Sequence, residues 1–547
     1  MVKFWSSIIE KINKTNPAII AIAILMIFLI TGWLSARISV IACDMSEFLN
    51  NPVRILYGDL PYRDFWLLFS PGEVYIPAII YKLFGINIDK LMFSMVLASA
   101  LTGLLAFYLG RLILKNNAIS ALFSFLLFFH SVILNYESPA YIHLYLTFLL
   151  LSSFFVIKYI ISAKKSAVFI AGFFGGCALF FRIYEVGAAL FGIFSAFVIY
   201  QIITKKSFKD TAYIILIGIS GLIIAPILTL IAFYSIAPKM LSEIVIQSVS
   251  NGTSMNLPLL HNLFRLFEEL SKDFQQISDG NVLVSTFKFI MRLILIIPTL
   301  VQIFLVFIGS FILVIYLRTK PDKMELSIVL VLFLWGLISF PKGLGRSDVA
   351  HFAPSVAPMA LSILLIYKYN KKSADNKLIK LVTLVILFLL VIKFAQPYYR
   401  LLNTKWQPLY TVKIEKGTIH HKNHDYLVGI DSTLNFISKN TQPGDYIFVT
   451  PWDAPPFYAL TERRNPTYYD SMNDPVVQPA IVKELGIIKD LTQTRTKYII
   501  HKPDWGYDDN PKQVFFRACP LLQRFIDSNY TLVKEYNIFG IYQLNRN

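Results

Sequence analysis

Charge is what this chain has least of. Asp, Glu, Lys and Arg make up only 16% of 547 residues, and acids are the scarcer kind, 34 against 51 Lys and Arg. With 55% hydrophobic residues and a mean hydropathy of +0.57, that scarcity excludes an ordinary soluble enzyme. Cysteine is nearly missing too. Cys43, Cys177 and Cys519 have no metal-ligand spacing, and the first two lie in or beside apolar runs, so no disulfide framework is implied. Internal repeats and low-complexity tracts are absent, which excludes a repeat architecture.

Long apolar runs are abundant. The segment 17–36 is too long for a signal-peptide core and lacks a small-residue cleavage site, so it reads as a retained first span. Further spans are expected near 90–114, 118–134, 140–161, 167–181, 186–203, 211–235, 287–317, 326–340, 353–369 and 378–396, about eleven in all. The apolar stretch 74–84 suits an interfacial or re-entrant helix. In the connection 236–285, HNLFRLFEELSKDF (261–274) has apolar residues at helical spacing and reads as an amphipathic helix.

The scarce charges are sorted by connection. Lys3, Lys11 and Lys14 precede the first span and place the N-terminus in the cytoplasm. Every second exit is then basic: Lys115; Lys164 and Lys165; Lys205, Lys206 and Lys209; Arg318, Lys320 and Lys323; Lys371, Lys372 and Lys377. The net charge of +17 is therefore topological, and a nucleic-acid partner is not expected. The opposite face receives 37–89, 135–139, 182–185, 236–285, 341–352 and everything after 397. There the charges are mixed: Asp44, Glu47, Glu137, Arg182, Glu185, Arg346, Asp348 and His351. A membrane protein that gathers acids, an imidazole and guanidiniums at one face is expected to carry a polar reaction site there.

After residue 397 the composition changes. Strand-like 445–451, 497–503 and 538–544 alternate with helix-like 428–440 and 477–493, which predicts a small α/β unit. The fold class is thus a polytopic α-helical membrane protein with a C-terminal extracytoplasmic α/β domain. Residues 1–397 form the membrane unit, with external loops 37–89 and 236–285, and residues 398–547 form the soluble unit. The Trp- and Pro-rich stretch 451–460 reads as a packed turn or a ligand-facing loop. A Lys-, Ile- and Asn-rich composition suits an AT-rich bacterial genome, and hence an inner membrane.

Asp44 sits just beyond the first span, where partial desolvation suits a general base; the bland alternative is a helix cap at Met45. The run 55–85, ILYGDLPYRDFWLLFSPGEVYIPAIIYKLFG, tips the balance. With Asp44, Gly58, Tyr62, Asp64, Phe65, Pro71 and Gly85, it resembles the first external loop of GT-C glycosyltransferases that use polyprenyl-phosphate sugars, among them protein O-mannosyltransferases and aminoarabinose transferases. Where that family often has Asp-Glu, this chain has Asp44-Met45, and Glu47 is the nearest substitute. The resemblance implies that Asp44 activates the acceptor nucleophile. It also implies a polyprenyl-phosphate sugar as donor, a glycan, lipid or protein as acceptor, membrane lipid as surroundings, and Asp64 in the substrate site. An inverting displacement needs only one base carboxylate.

Three further places on the mixed face carry candidates. Glu137 is the best match for a second acid of the family, against the alternative of a solvated loop Glu. Arg182 ends a span against the positive-inside bias, and either a phosphate or Glu185 would explain it. The loop 339–358 compresses Lys342, Arg346, Asp348 and His351 among glycines and prolines, and its R-x-D-x-x-H is similar to a motif before a late span in bacterial GT-C transferases. By that resemblance Arg346 meets the lipid phosphate, Asp348 orients His351, and His351 donates to the phosphate; a structural ion-pair cluster is the alternative. Asp348, His351 and Glu137 are residue types that hold a divalent cation, with no spacing that decides it. A flippase or transporter would place charges at mid-membrane depth, and the spans here are almost free of them. A polymerase or ligase of lipid-linked glycans differs in substrates more than in architecture.

Overall fold

The computed structural model describes residues 10–38, 43–67, 70–132, 141–236, 238–242, 261–278, 282–341, 344, 349–369, 410–421, 423–450, 456–469, 480–502, 519–537 and 539–545. The first half is helical. In order come α1 (Pro17–Ile38), α2 (Cys43–Leu56), α3 (Gly72–Phe84), α4 (Ile88–Leu114), α5 (Asn117–Val132), α6 (Tyr141–Ser162), α7 (Lys165–Leu179), α8 (Ile183–Ile203) and α9 (Phe208–Ala232). Then follow α10 (His261–Ser278), α11 (Val282–Arg318), α12 (Lys323–Ser339) and α13 (Val349–Tyr369).

Ten of these helices coincide with ten of the expected spans, each within a few residues. The eleventh, 378–396, lies outside the described residues. Among the described residues five helical stretches are long and apolar enough to cross a membrane: Pro17–Leu34, Ile88–Leu114, Leu144–Ser162, Glu185–Ile203 and Phe208–Ala232. At 37 residues, α11 runs about 55 Å, well beyond the ~30 Å hydrocarbon core.

Local chemistry sets the helix ends. The side chain of Asn87 accepts from the backbone N–H of Lys90, and Asp322 accepts from Met324 and Glu325, each satisfying donors that the first helical turn leaves open. Ser207 caps α9 and in turn donates to Asp210. Between helices, small residues allow close approach. A Cβ at Gly172 of α7 would lie 2.0 Å from the carbonyl oxygen of Gly218 in α9, so this crossing is closed to any larger side chain.

The remaining elements are β1 (Tyr410–Ile414), β2 (Gly417–His421), α14 (His424–Asn440), β3 (Ile447–Thr450), α15 (Phe457–Thr461), α16 (Ala480–Thr494), β4 (Tyr498–His501), α17 (Pro520–Asn529), β5 (Tyr530–Tyr536) and β6 (Phe539–Leu544). β1 and β2 form a hairpin; the others form a sheet in the order β3-β4-β6-β5, parallel between β3 and β4 and antiparallel elsewhere. β3 and β4 are buried along their whole length, which is why IFVT and YIIH read as continuous rather than alternating runs.

Both faces of β3 and β4 are covered. Ile447, Val449 and Ile500 pack with Leu427, Ile430, Leu434 and Ile437 of α14, and this core continues into Leu49 and Val53 of α2, Tyr81 of α3 and Leu91 of α4. Phe448 and Ile499 face the other way, onto Ile487 and Leu491 of α16, Leu522 and Ile526 of α17, and Trp66. The segment from α2 to α4 is therefore built into the sheet's own core. The backbone N–H of Ile88 donates to the carbonyl of Lys416, and Thr418 bonds Asp89, which seats the β1–β2 hairpin on the start of α4.

Candidate functional site

The segment that carries the sequence resemblance folds as one closed turn. α2 ends in a Schellman motif: Gly58 N–H donates to the Ile55 carbonyl and Asp59 N–H to the Arg54 carbonyl at 3.0 Å. Gly58 has φ +90° and nothing within 4 Å of the Cβ it lacks, so backbone conformation alone demands glycine there. The chain then doubles back through Tyr62, whose N–H donates to the Phe65 carbonyl at 2.7 Å. Tyr62 holds φ 66° although it is buried, a left-handed conformation that an aromatic residue adopts only when its surroundings impose it.

Arg54 imposes much of that order. Its Nε donates to Asp59 at 3.1 Å, Nη2 to the Asp64 carbonyl at 2.8 Å and Nη1 to the Thr467 carbonyl at 2.8 Å, with Phe65 beneath the guanidinium at 4.7 Å. Asp59 also takes Nη2 of Arg464 at 2.7 Å, so one carboxylate joins two arginines 410 residues apart in sequence. Further bonds run along the same seam: Ala459 N–H to Asn50 Oδ1, Trp66 N–H to the Tyr468 carbonyl and Tyr57 Oη to the Glu462 carbonyl. Lys416 pairs with Glu462. Lys483 lies over Trp66 at 5.5 Å and over Tyr469 at 5.7 Å.

Asp64 lies within this turn. Partial burial pushes its carboxyl up, but hydrogen bonds from Arg63 and from the Leu60 N–H, with the charges of Arg63 and Arg54, outweigh it and hold the group below the usual carboxylate range.

A second charged cluster joins α3 to α8. Arg182 precedes α8 and donates through Nε to Glu73 at 3.0 Å and through Nη1 to Glu185 at 2.6 Å. The Glu73 side chain is fully buried, and those of Arg182 and Glu185 are nine-tenths buried. Of the two partners that would explain Arg182, the structure supplies Glu185, and it adds Glu73.

Known proteins offer a limited comparison. No family model matches the chain, and no curated protein matches it. Among solved structures, the chain is similar to ArnT from Cupriavidus metallidurans bound to undecaprenyl phosphate. The two share 12% identity over 95% of this chain and 97% of that one, with a TM-score of 0.41. Likeness at that level leaves the chemistry to be argued from this chain's own residues.

Asp44 and Glu47 both lie on α2, one turn apart, and their side chains are outside the described set. The helix begins at Cys43, so Asp44 is in its first turn rather than capping a helix that starts at Met45. His351 falls in the first turn of α13, its side chain likewise outside, and Glu137, Lys342, Arg346 and Asp348 lie outside the described residues altogether. Sequence reasoning passed over Arg54, Glu73 and Arg464. Glu73 did carry a signal, an acid directly after Pro71-Gly72 at the start of an apolar helix. Arg54 and Arg464 carried none beyond their scarcity.

Proposed function

We propose that the chain is an integral-membrane glycosyltransferase of the GT-C type, moving a sugar from a polyprenyl-phosphate donor to an acceptor on the outer face of a bacterial inner membrane. Residues 1–397 form the multi-span unit, N-terminus in the cytoplasm, and 398–547 the extracytoplasmic α/β unit. One observation carries the reading. The residues that resemble the family loop, Gly58, Tyr62, Asp64 and Phe65, build a single ion-paired turn, with Tyr62 and Phe65 buried, directly off the helix whose first turn contains Asp44.

In this reading Asp44 takes the proton of the acceptor nucleophile as that atom attacks the anomeric carbon. The bond from that carbon to the phosphate oxygen breaks, polyprenyl phosphate leaves, and the configuration inverts. Arg346, with Lys342 and with His351 oriented by Asp348, stabilises the leaving phosphate, for which a guanidinium fork is suited. Glu47 and Glu137 are the second acids around the acceptor, and Asp64 shapes its pocket. Arg182 reaches a phosphate only by sharing its fork with Glu73 and Glu185.

The test is transfer from a panel of polyprenyl-phosphate sugars by purified wild type, Asp44→Asn and Arg346→Ala. The expected loss for Asp44→Asn is on the order of 100-fold or more. Full transfer by Asp44→Asn would overturn the base assignment. A wild type that consumes no donor at all would overturn the enzyme reading.

A further inference from the structure

α10 sorts its residues onto two sides. Leu263, Phe267, Leu270, Phe274 and Ile277 recur at intervals of four and three, which places them on one side of the helix. On the other side Arg265 pairs with Glu269 at 3.5 Å and Lys272 with Glu268 at 2.8 Å. The middle of the apolar side is open. Phe267 is 43% and Phe274 64% exposed, and large rings uncovered along an apolar stripe mark a surface with an occupant.

The neighbouring helix identifies that occupant. Before Arg318, the charges of α11 are Lys288 and Arg292, and the 25 uncharged residues from 293 to 317 span about 37 Å, enough to cross the ~30 Å hydrocarbon core. The first three turns of α11 therefore stand at the level of the headgroups. Phe274 of α10 packs against Phe289 in those turns, with 5.8 Å between ring centroids. Phe289 precedes Phe307 by 18 residues, about five helical turns, so the two share a side of α11. That side faces away from the bundle: Phe304, Phe307 and Phe311 are exposed, whereas Leu305, Val306 and Ile312 are buried in the main core. α10 is thus seated on the lipid-facing side of α11, at headgroup height, with its apolar stripe open.

We propose that α10 docks on the outer leaflet, inserting Phe267 and Phe274 at the boundary between headgroups and acyl chains and keeping its ion-paired side in water. Because Arg265, Glu268, Glu269 and Lys272 are already paired within the helix, the docking is apolar and needs no anionic lipid. It rests on the outer-face assignment of 236–285 given above and not on sugar transfer.

The experiment is nitroxide accessibility in vesicles of phosphatidylcholine, on the full chain with Cys43, Cys177 and Cys519 replaced by serine. Labels are attached through Phe267→Cys, Phe274→Cys, Glu268→Cys and Lys272→Cys, one variant at a time. Labels at 267 and 274 are reached by oxygen, shielded from a water-soluble nickel chelate and lie about 5–10 Å below the phosphates. Labels at 268 and 272 show the reverse, and adding phosphatidylglycerol changes neither. If 267 and 274 are as open to nickel as 268 and 272, the helix lies in water and the proposal is overturned. Shielding from both reagents is equally fatal, since it means a protein cover, either a second copy or another part of this chain. Insertion that appears only with phosphatidylglycerol overturns the apolar docking. A second readout uses the unmodified chain with a photoactivatable phosphatidylcholine: adducts form at Phe267 and Phe274, and labelling of α11 without any of α10 sinks the idea. Neither readout involves a sugar donor, so a chain that docks α10 but never consumes a donor overturns only the transferase.

Discussion

Arg54 and Arg182 are both buried, and both tie together segments far apart in sequence, but they do it with different partners. Arg54 divides its fork between one carboxylate and two backbone carbonyls, so it fixes the path of the chain at 59–67 and at 467. Arg182 gives its fork to two carboxylates, Glu73 and Glu185, so a single cation offsets the repulsion between an acid of α3 and an acid of α8. Carbonyls cannot be neutralised by a proton and do not repel one another when the arginine is lost. Buried carboxylates do both. The first arrangement therefore fails by loosening a turn, the second by leaving like charges stranded in a dry interior.

The largest expected effect follows from that difference. Arg182→Ala leaves Glu73 and Glu185 buried without their shared cation and destabilises the chain by about 3–5 kcal/mol, read as thermal unfolding of the detergent-solubilised protein. The triple replacement of Arg182, Glu73 and Glu185 by apolar residues of similar volume recovers most of the loss. If the triple variant is no better than Arg182→Ala alone, charge balance is not what the cluster provides.

Arg54→Ala comes next, at about 2–3 kcal/mol, because charged hydrogen bonds to Asp59, Asp64 and Thr467 are lost but no pair of carboxylates is stranded. Its signature is local. Hydrogen exchange at the Trp66 amide, which donates to Tyr468 across the seam, should speed up while the interior of α9 stays protected. Equal acceleration in both places would mean that Arg54 supports the whole fold rather than this turn. Arg54→Lys should recover only part, since an ammonium cannot reach three acceptors in the plane of a guanidinium fork.

The same contrast explains what was legible in the sequence. The apolar helices were, because long apolar runs of this kind leave little alternative to helix, and so were β3, β4 and β6, whose apolar runs are bounded by turn residues. β5 was not, since Thr531, Leu532, Val533, Lys534 and Glu535 are all exposed and only Tyr530, at its start, reaches the core. Nor was the β1–β2 hairpin, although Lys416-Gly417 marks its turn. At the site, Arg182 could be flagged because it breaks the charge bias of its loop, and Glu185, three residues on, was available as a partner. Glu73, 109 residues away, was not. The junction of Arg54, Asp59 and Arg464 had no linear trace, because the two arginines meet only after the C-terminal sheet has packed on α2.

The smallest expected effect separates the two regions by pH. Asp64 belongs to the Arg54 turn, and its carboxyl is held below the usual range in the folded chain. A depressed folded value contributes stability that is present above the unfolded value, near 3.9 for Asp, and is lost as pH falls through the folded one. Near neutrality the turn should therefore be indifferent to pH, and the contribution should drain away only in the window below about 4. Asp64 stays partly exposed, so solvent screens its pair with Arg63 and keeps the contribution small. Asp64→Asn should flatten the acid limb of the stability curve slightly and leave the plateau at pH 6–8 lower by the same small amount. An acid limb that Asp64→Asn leaves unchanged would move the acid sensitivity to another carboxylate.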